Sequence, residues 1–252
     1  MWMMRALGRR LARFLARPRE RLGHLTTSPR EQVAVVLRRG DVLLVEGTSR
    51  FSSAIKFLTQ STWSHAALCV GDGLLCDVDV VEGVRRVPLA AFDGVHTRIC
   101  RPVGLSAKDV DAVCDFMLAR VGYSYDLKNV FDLVRYLVRT PPVPDRMKRR
   151  MIALGSGEPT RAICSTLLAQ AFDSIRYPIL PEVELHEADT PGGREARAEI
   201  LHIRHHSLYT PRDFDTSPFF RVVKPRLEGG FDFRRLVWGE NAELSSSRTQ
   251  EA

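Results

Sequence analysis

Cysteine is scarce and odd in number: five in 252 residues, at Cys69, Cys76, Cys100, Cys114 and Cys164. All five sit in apolar settings, which argues against a disulfide framework and for reduced thiols in a cytosolic compartment. No run approaches the roughly 20 apolar residues of a membrane-spanning helix. Residues 1–25 also lack the apolar core of about 7–15 residues that marks a secretory signal. Metal-ligand spacing is missing as well. His202, His205 and His206 cluster, but no Cys or carboxylate stands at a recognisable spacing beside them, so a solvated basic loop is the plainer reading and no metal is expected. Gly155-Ser156-Gly157-Glu158-Pro159 has neither the Lys nor the spacing of a phosphate-binding loop, and no cofactor is expected.

Acidic residues are nearly absent from the first 22 positions. Arg5, Arg9, Arg10, Arg13, Arg17, Arg19 and Arg21 face a single Glu20, so +6 of the net charge of +7 lies there and +1 is left for the other 230 residues. A near-neutral body offers no basic stripe for nucleic acid, which is excluded as a partner. Met4, Leu7, Leu11, Phe14 and Leu15 fall at helical spacing with the arginines on other faces, up to Pro18. Such a helix can lie on an anionic membrane surface; it can equally be a solvated helix on its own domain, or a mitochondrial presequence in a eukaryote. The expected location is cytoplasmic, with a peripheral position on the inner face of the membrane if residues 1–22 bind it.

With 44% apolar residues the rest can bury a sizeable core. Residues 23–34, rich in Thr, Ser and Pro, read as a linker. Strands are expected at 40–47, 65–70, 74–79, 84–88 and 97–101, with a last one at Phe219–Val223. Helices are expected at Ser52–Leu58, from Ser106 as N-cap to Arg120, at 126–138, at 144–154, and from Cys164 to Ile175. Val110, Val113, Phe116, Met117 and Val121 form the stripe of the Ser106 helix. Residues 181–206 read as polar and irregular, and the tail from Gly239 as disordered.

Two of these segments carry chemistry. His65 opens a strand after Trp63-Ser64, and Cys164 opens a helix in Ile163-Cys164-Ser165-Thr166-Leu167-Leu168. A thiol and an imidazole are the parts of a cysteine hydrolase. The order is unusual, since in the common papain arrangement Cys comes first. The turn Gly71-Asp72-Gly73 decides what joins His65. A two-residue loop would put Asp77 and Asp79 on the face of Ala66, Leu68 and Val70. A three-residue loop puts Ala66, Leu68, Val70, Leu74, Cys76 and Val78 on one apolar face, and His65, Ala67, Cys69, Leu75, Asp77 and Asp79 on the other. The second separates apolar from polar far better and suits Gly73 in a left-handed bulge position. It sets Asp77 opposite Ala67 and diagonal to His65, where a carboxylate can orient an imidazole. Otherwise Asp77 is an exposed strand carboxylate. Cys164, Leu167, Leu168, Ala171, Phe172 and Ile175 repeat at helical spacing, so the helix buries one face with Cys164 in its first turn. There the unpaired N–H groups favour a thiolate and offer an oxyanion donor. A buried structural Cys would show the same pattern, and that plainer reading holds for the other four.

The runs Gly40-Asp41-Val42-Leu43, Trp63-Ser64-His65-Ala66-Ala67-Leu68 and Gly71-Asp72-Gly73 resemble permuted NlpC/P60 papain-like cysteine hydrolases of the YiiX/YebB type. So do Gly83-Val84-Arg85-Arg86-Val87-Pro88-Leu89, Gly122-Tyr123-Ser124-Tyr125-Asp126, Ile163-Cys164-Ser165-Thr166-Leu167 and Thr210-Pro211-Arg212-Asp213-Phe214. The resemblance covers roughly residues 36–225, with lecithin:retinol acyltransferase as a more distant relative. It implies an α+β, circularly permuted papain-like fold with an antiparallel sheet packed on helices. It also implies Cys164 as nucleophile, His65 as general base and Asp77 in the third position, where relatives often carry Glu or His. Amide or ester hydrolysis follows, on substrates from cell-wall peptides to acylated lipids. Trp63, Tyr125 and Ser165 are candidate substrate-binding residues, with Trp63 and Tyr125 equally readable as ordinary packing aromatics. The domains implied are a basic helix and linker (1–32), the hydrolase domain (33–226) and a C-terminal extension (227–252). A membrane-surface binding module and an acyltransferase are the rival functions. With no export signal, cell-wall peptides would be out of reach, and the basic helix points to a lipid-linked amide or ester.

Overall fold

Val42-Leu43-Leu44-Val45 is apolar at every position, so a strand there has to be covered on both sides. It forms β1 (Val42–Glu46), with all four of those residues buried. The structure is a computed structural model that describes residues 28–79, 82–123, 163–188, 196–202 and 209–235. Around β1 lie β2 (His65–Gly71), β3 (Leu74–Asp79), β4 (Gly83–Pro88), β5 (His96–Pro102) and β8 (Phe220–Val223). They form a six-stranded sheet in the order β4-β3-β2-β1-β5-β8, every neighbouring pair antiparallel. The architecture is α+β.

The alternation of each strand divides the core in two. Val42, Leu44, Ala66, Leu68, Cys76 and Val78 pack against α3 (Ala107–Leu118) and α4 (Ile163–Asp173), which contribute Val113, Met117, Leu168 and Phe172. On the opposite face Leu43, Val45, Ala67, Leu75 and Ile99 meet Val33 of α1 (Arg30–Val36) and Leu89 of the 3-10 turn Leu89–Phe92. Ser106 caps α3 by accepting from the Asp109 N–H, and the Asp109 carboxylate answers the Ser106 N–H, a complete capping box. The helix ends at Leu118, and Val121, expected on its stripe, is exposed. Between β1 and β2, α2 (Arg50–Thr59) starts from Ser49, whose side chain accepts from the Ser52 N–H.

Three expectations change. The stretch read as a linker, residues 23–34, includes the start of α1, because Val33 buries itself against the sheet. Within the stretch read as irregular, β6 (Glu182–Ala188) and β7 (Ala196–His202) pair antiparallel as a separate two-stranded ribbon. Glu182-Val183-Glu184-Leu185 has the period of two that a strand requires; the density of charge masked it. The short helix α5 (Pro211–Thr216), with Pro at its start and a Thr210–Asp213 capping box, was not anticipated. The amphipathic helix of residues 1–22, Tyr125, the helices at 126–138 and 144–154, His205, His206 and the tail from Gly239 lie outside the described residues.

The β2–β3 hairpin also differs in detail. Gly71 pairs with Leu74, so the loop is the two residues Asp72 and Gly73, both at positive φ (53° and 69°). This is the primed geometry that matches strand twist. The register then shifts between Cys69 and Gly71, and Leu68 pairs with Cys76. Val70 is therefore a β-bulge, and Arg39 Nη1–H donates to its carbonyl. A two-residue turn plus a one-residue bulge gives the parity that a three-residue loop would have given.

Candidate active site

That parity decides the site. Leu68 opposite Cys76 carries Ala67 opposite Asp77. His65 and Asp77 thus share the face of Ala67 and Leu75, and the Phe92 ring on that face lies 6.3 Å from the His65 ring. His65 Nε2 is hydrogen-bonded to Asp77 Oδ1. The Asp77 side chain is 3% exposed and that of His65 23%. The short Asp77 carboxylate reaches the imidazole directly.

Asp77 has a second partner. Arg85 stands directly across from it in the β3–β4 register. Arg85 Nε–H donates to Asp77 Oδ2 at 3.2 Å and an Nη2–H to the same oxygen at 3.0 Å. Arg85 is held in turn by Glu82 Oε2 at 2.7 Å and by Asp79 Oδ2 at 3.5 Å. The pair Asp77/Arg85 was legible as two charged residues on facing strands, but only once the β3–β4 register was known.

Cys164 occupies the second position of α4 and is 4% exposed. By strand parity His65 points to the sheet face opposite α4. The two meet because His65 is the first residue of β2 and Cys164 lies in the first turn of α4. Cys164 is within hydrogen-bonding and electrostatic reach of the imidazole. With Nε2 committed to Asp77, Nδ1 is the ring nitrogen left for the sulfur. Burial works against a charged His65 and is the largest single influence; the Asp77 carboxylate and then Cys164 outweigh it, and the imidazole is held well above its ordinary range. Asp77 is pushed up by burial, but His65 and Arg85 bring it below the ordinary carboxylate range. The other four thiols lie on strands and in α3, where burial raises them: Cys76 and Cys114 to about 11, Cys100 to about 12, and Cys69 in the same direction.

The remaining described candidates, Trp63 and Ser165, stand beside His65 and Cys164 in the chain and are buried. Trp63 is 3% exposed, its indole N–H donating to Asp215 Oδ2 at 2.9 Å. Arg98 lies over its ring at 5.0 Å and donates to both Asp215 oxygens, at 2.7 and 2.8 Å. Trp63 is therefore wedged into the core and offers no open ring face to a cleft. Ser165 is fully buried, and its hydroxyl donates to the Tyr209 carbonyl at 2.8 Å. Among the described residues, no group of three or more His, Cys, Asp or Glu is arranged to hold a metal ion, and no helix is long and apolar enough to cross a membrane.

No family model matches the chain, and no curated protein does. Among solved structures, the crystal structure of metalloprotein yiiX from Escherichia coli O157:H7 is similar at 15% sequence identity and a TM-score of 0.44, covering 74% of this chain and 96% of that one. The description as a metalloprotein belongs to that protein.

Proposed function

We propose that the chain is a cysteine hydrolase on a circularly permuted papain-like fold, cleaving an amide or ester through a thioester. One observation carries the reading: a single imidazole is hydrogen-bonded to a buried carboxylate and lies within electrostatic reach of a thiol at the start of a helix. Asp77 keeps His65 in one orientation and supports its charged form. Cys164 gives its proton to His65, and the sulfur attacks the substrate carbonyl carbon. The Cys164 N–H, at the start of α4 where backbone donors lack helical partners, stabilises the oxyanion. As the tetrahedral species collapses, the C–N or C–O bond breaks and His65 returns the proton to the leaving group. Water, deprotonated by His65, then attacks the thioester, releasing the acid and restoring the thiol.

The basic amphipathic segment at residues 1–22 turns the substrate reading toward a lipid-linked amide or ester at a membrane surface. The experiment is incubation of the full chain with cell lipid and peptide extracts, followed by mass spectrometry of the Cys164 peptide. The expected result is an acyl adduct on Cys164 that is absent in Cys164→Ala, together with loss of all hydrolysis above background in that variant. Full hydrolytic activity in Cys164→Ala would overturn the assignment. A Cys164 that is inert to thiol probes would favour a binding module on the same fold.

A further inference from the structure

An aspartate has two oxygens and free rotation about its last bond, so one hydrogen bond to an imidazole leaves it able to turn away. At Asp77 the second oxygen is taken. Arg85 reaches Oδ2 with two N–H donors, at 3.2 and 3.0 Å, from the facing position on β4. The guanidinium cannot swing off easily, because Asp79 at the end of β3 and Glu82 in the turn that joins β3 to β4 hold it. A planar fork fixes the plane of its partner in a way a lysine ammonium cannot.

We propose that Arg85 is a positioning residue of the site, gripping Asp77 by one oxygen so that the other stays on His65 Nε2. The proposal rests on the hydrolase reading for its purpose but not for its test. The donors of Arg85 go to Asp77, Glu82 and Asp79, so it acts on His65 through Asp77. It also explains how a short carboxylate serves the third position: reach is not limiting once the carboxyl plane is set from behind. The groups that surround the pair are His65 from β2, Cys76 and Asp79 on β3, Glu82 in the turn and Arg85 on β4, with Cys164 of α4 facing His65.

The measurement is the titration of the His65 ring by NMR in the full chain. Loss of a neighbouring cation, acting by charge alone, would make His65 hold its proton more tightly. Loss of the grip on Asp77 does the opposite. In Arg85→Gln we expect proton affinity at His65 to fall roughly tenfold, the scale of one charge-assisted hydrogen bond. Arg85→Lys, which keeps the charge beside a buried carboxylate and so protects folding, should fall between the two. Adding Arg85→Gln to Asp77→Asn should produce no further drop, only the slight rise that losing a cation brings, and that double variant carries no unpaired buried charge. An unchanged or raised affinity in Arg85→Gln, or a further drop in the Asp77→Asn background, overturns the proposal. Iodoacetamide labelling of Cys164 in the unaltered protein reads the hydrolase assignment separately, since a sluggish thiol would sink that reading while leaving the His65 titration to judge Arg85.

Discussion

Asp41 and Asp77 are two buried aspartates, each gripped by two N–H donors of an arginine, and they differ in where the remaining valence goes. Arg101 donates to Asp41 at 2.8 and 2.7 Å and to the Val36 carbonyl at 2.6 Å, while the Arg38 backbone N–H donates to Asp41 at 2.8 Å. These bonds close on main chain or on the partner, so the pair clips α1 to the start of β1 and the end of β5. Asp77 spends one oxygen on Arg85 and the other on an imidazole that faces a thiol. The same ion-pair chemistry is structural where it closes on backbone and, in the proposed function, serves chemistry where it closes on a group that titrates.

The comparison can be broken by moving each member. Removing one partner of a buried pair leaves an uncompensated charge, so Asp41→Ala should cost about 3 kcal/mol of unfolding free energy in urea. Its alkylation rate at Cys164, per folded molecule, should stay at the parent value; a fall would mean that Asp41 also serves the site. Asp77→Asn should invert the pattern. Hydrolysis and Cys164 labelling should drop on the order of 100-fold, the low end of what a correctly held general base contributes. Stability should change by only about 1 kcal/mol, because Arg85 is part-exposed and keeps Glu82 and Asp79. Equal losses of stability in the two variants would erase the distinction.

A smaller effect sharpens it through pH. Because the folded His65 is held above its ordinary value near 6.5, its contribution to stability is full below that value and fades as pH rises through the raised one. Asp77 is held below its ordinary value, so its contribution is full at neutral pH and fades as pH falls through the lowered one. Urea midpoints measured across this range should flatten at both ends in Asp77→Asn and keep both slopes in Asp41→Ala. The smallest expected effect is at Gly73, whose left-handed φ of 69° is strained for any side chain: Gly73→Ala should cost about 1 kcal/mol and leave Asp77 on His65. Loss of Cys164 labelling there would show that the turn, not the Val70 bulge, holds the register.

Much of this was legible in residues and spacing. The segregation of Ala66, Leu68, Cys76 and Val78 from His65, Ala67, Leu75 and Asp77 is the observed partition, because a one-residue slip would bury carboxylates on the helix side. The route to it was misread, since a bulge and an extra loop residue have the same effect on parity. The β6–β7 ribbon was missed because its charged residues read as loop, although their alternation was present. Arg85 was missed because it sits beside Arg86 in Val84-Arg85-Arg86-Val87, and nothing local says which arginine faces the aspartate. Trp63 reads from sequence as either a cleft residue or a packing aromatic, and its partner Asp215, which lies 152 positions away, is beyond any local pattern.

By itself the sequence determined the faces. Periods of two and of 3.6 are properties of neighbouring residues, so they decide that Asp77 sides with His65 and that Cys164 heads the buried stripe of its helix. Only the tertiary structure decided that these faces meet. His65 and the Cys164 helix lie on opposite sides of the sheet by parity, and their contact depends on which strand end and which helix start are packed together. That is set by the closure of a core whose members are about a hundred residues apart, and no local periodicity encodes it.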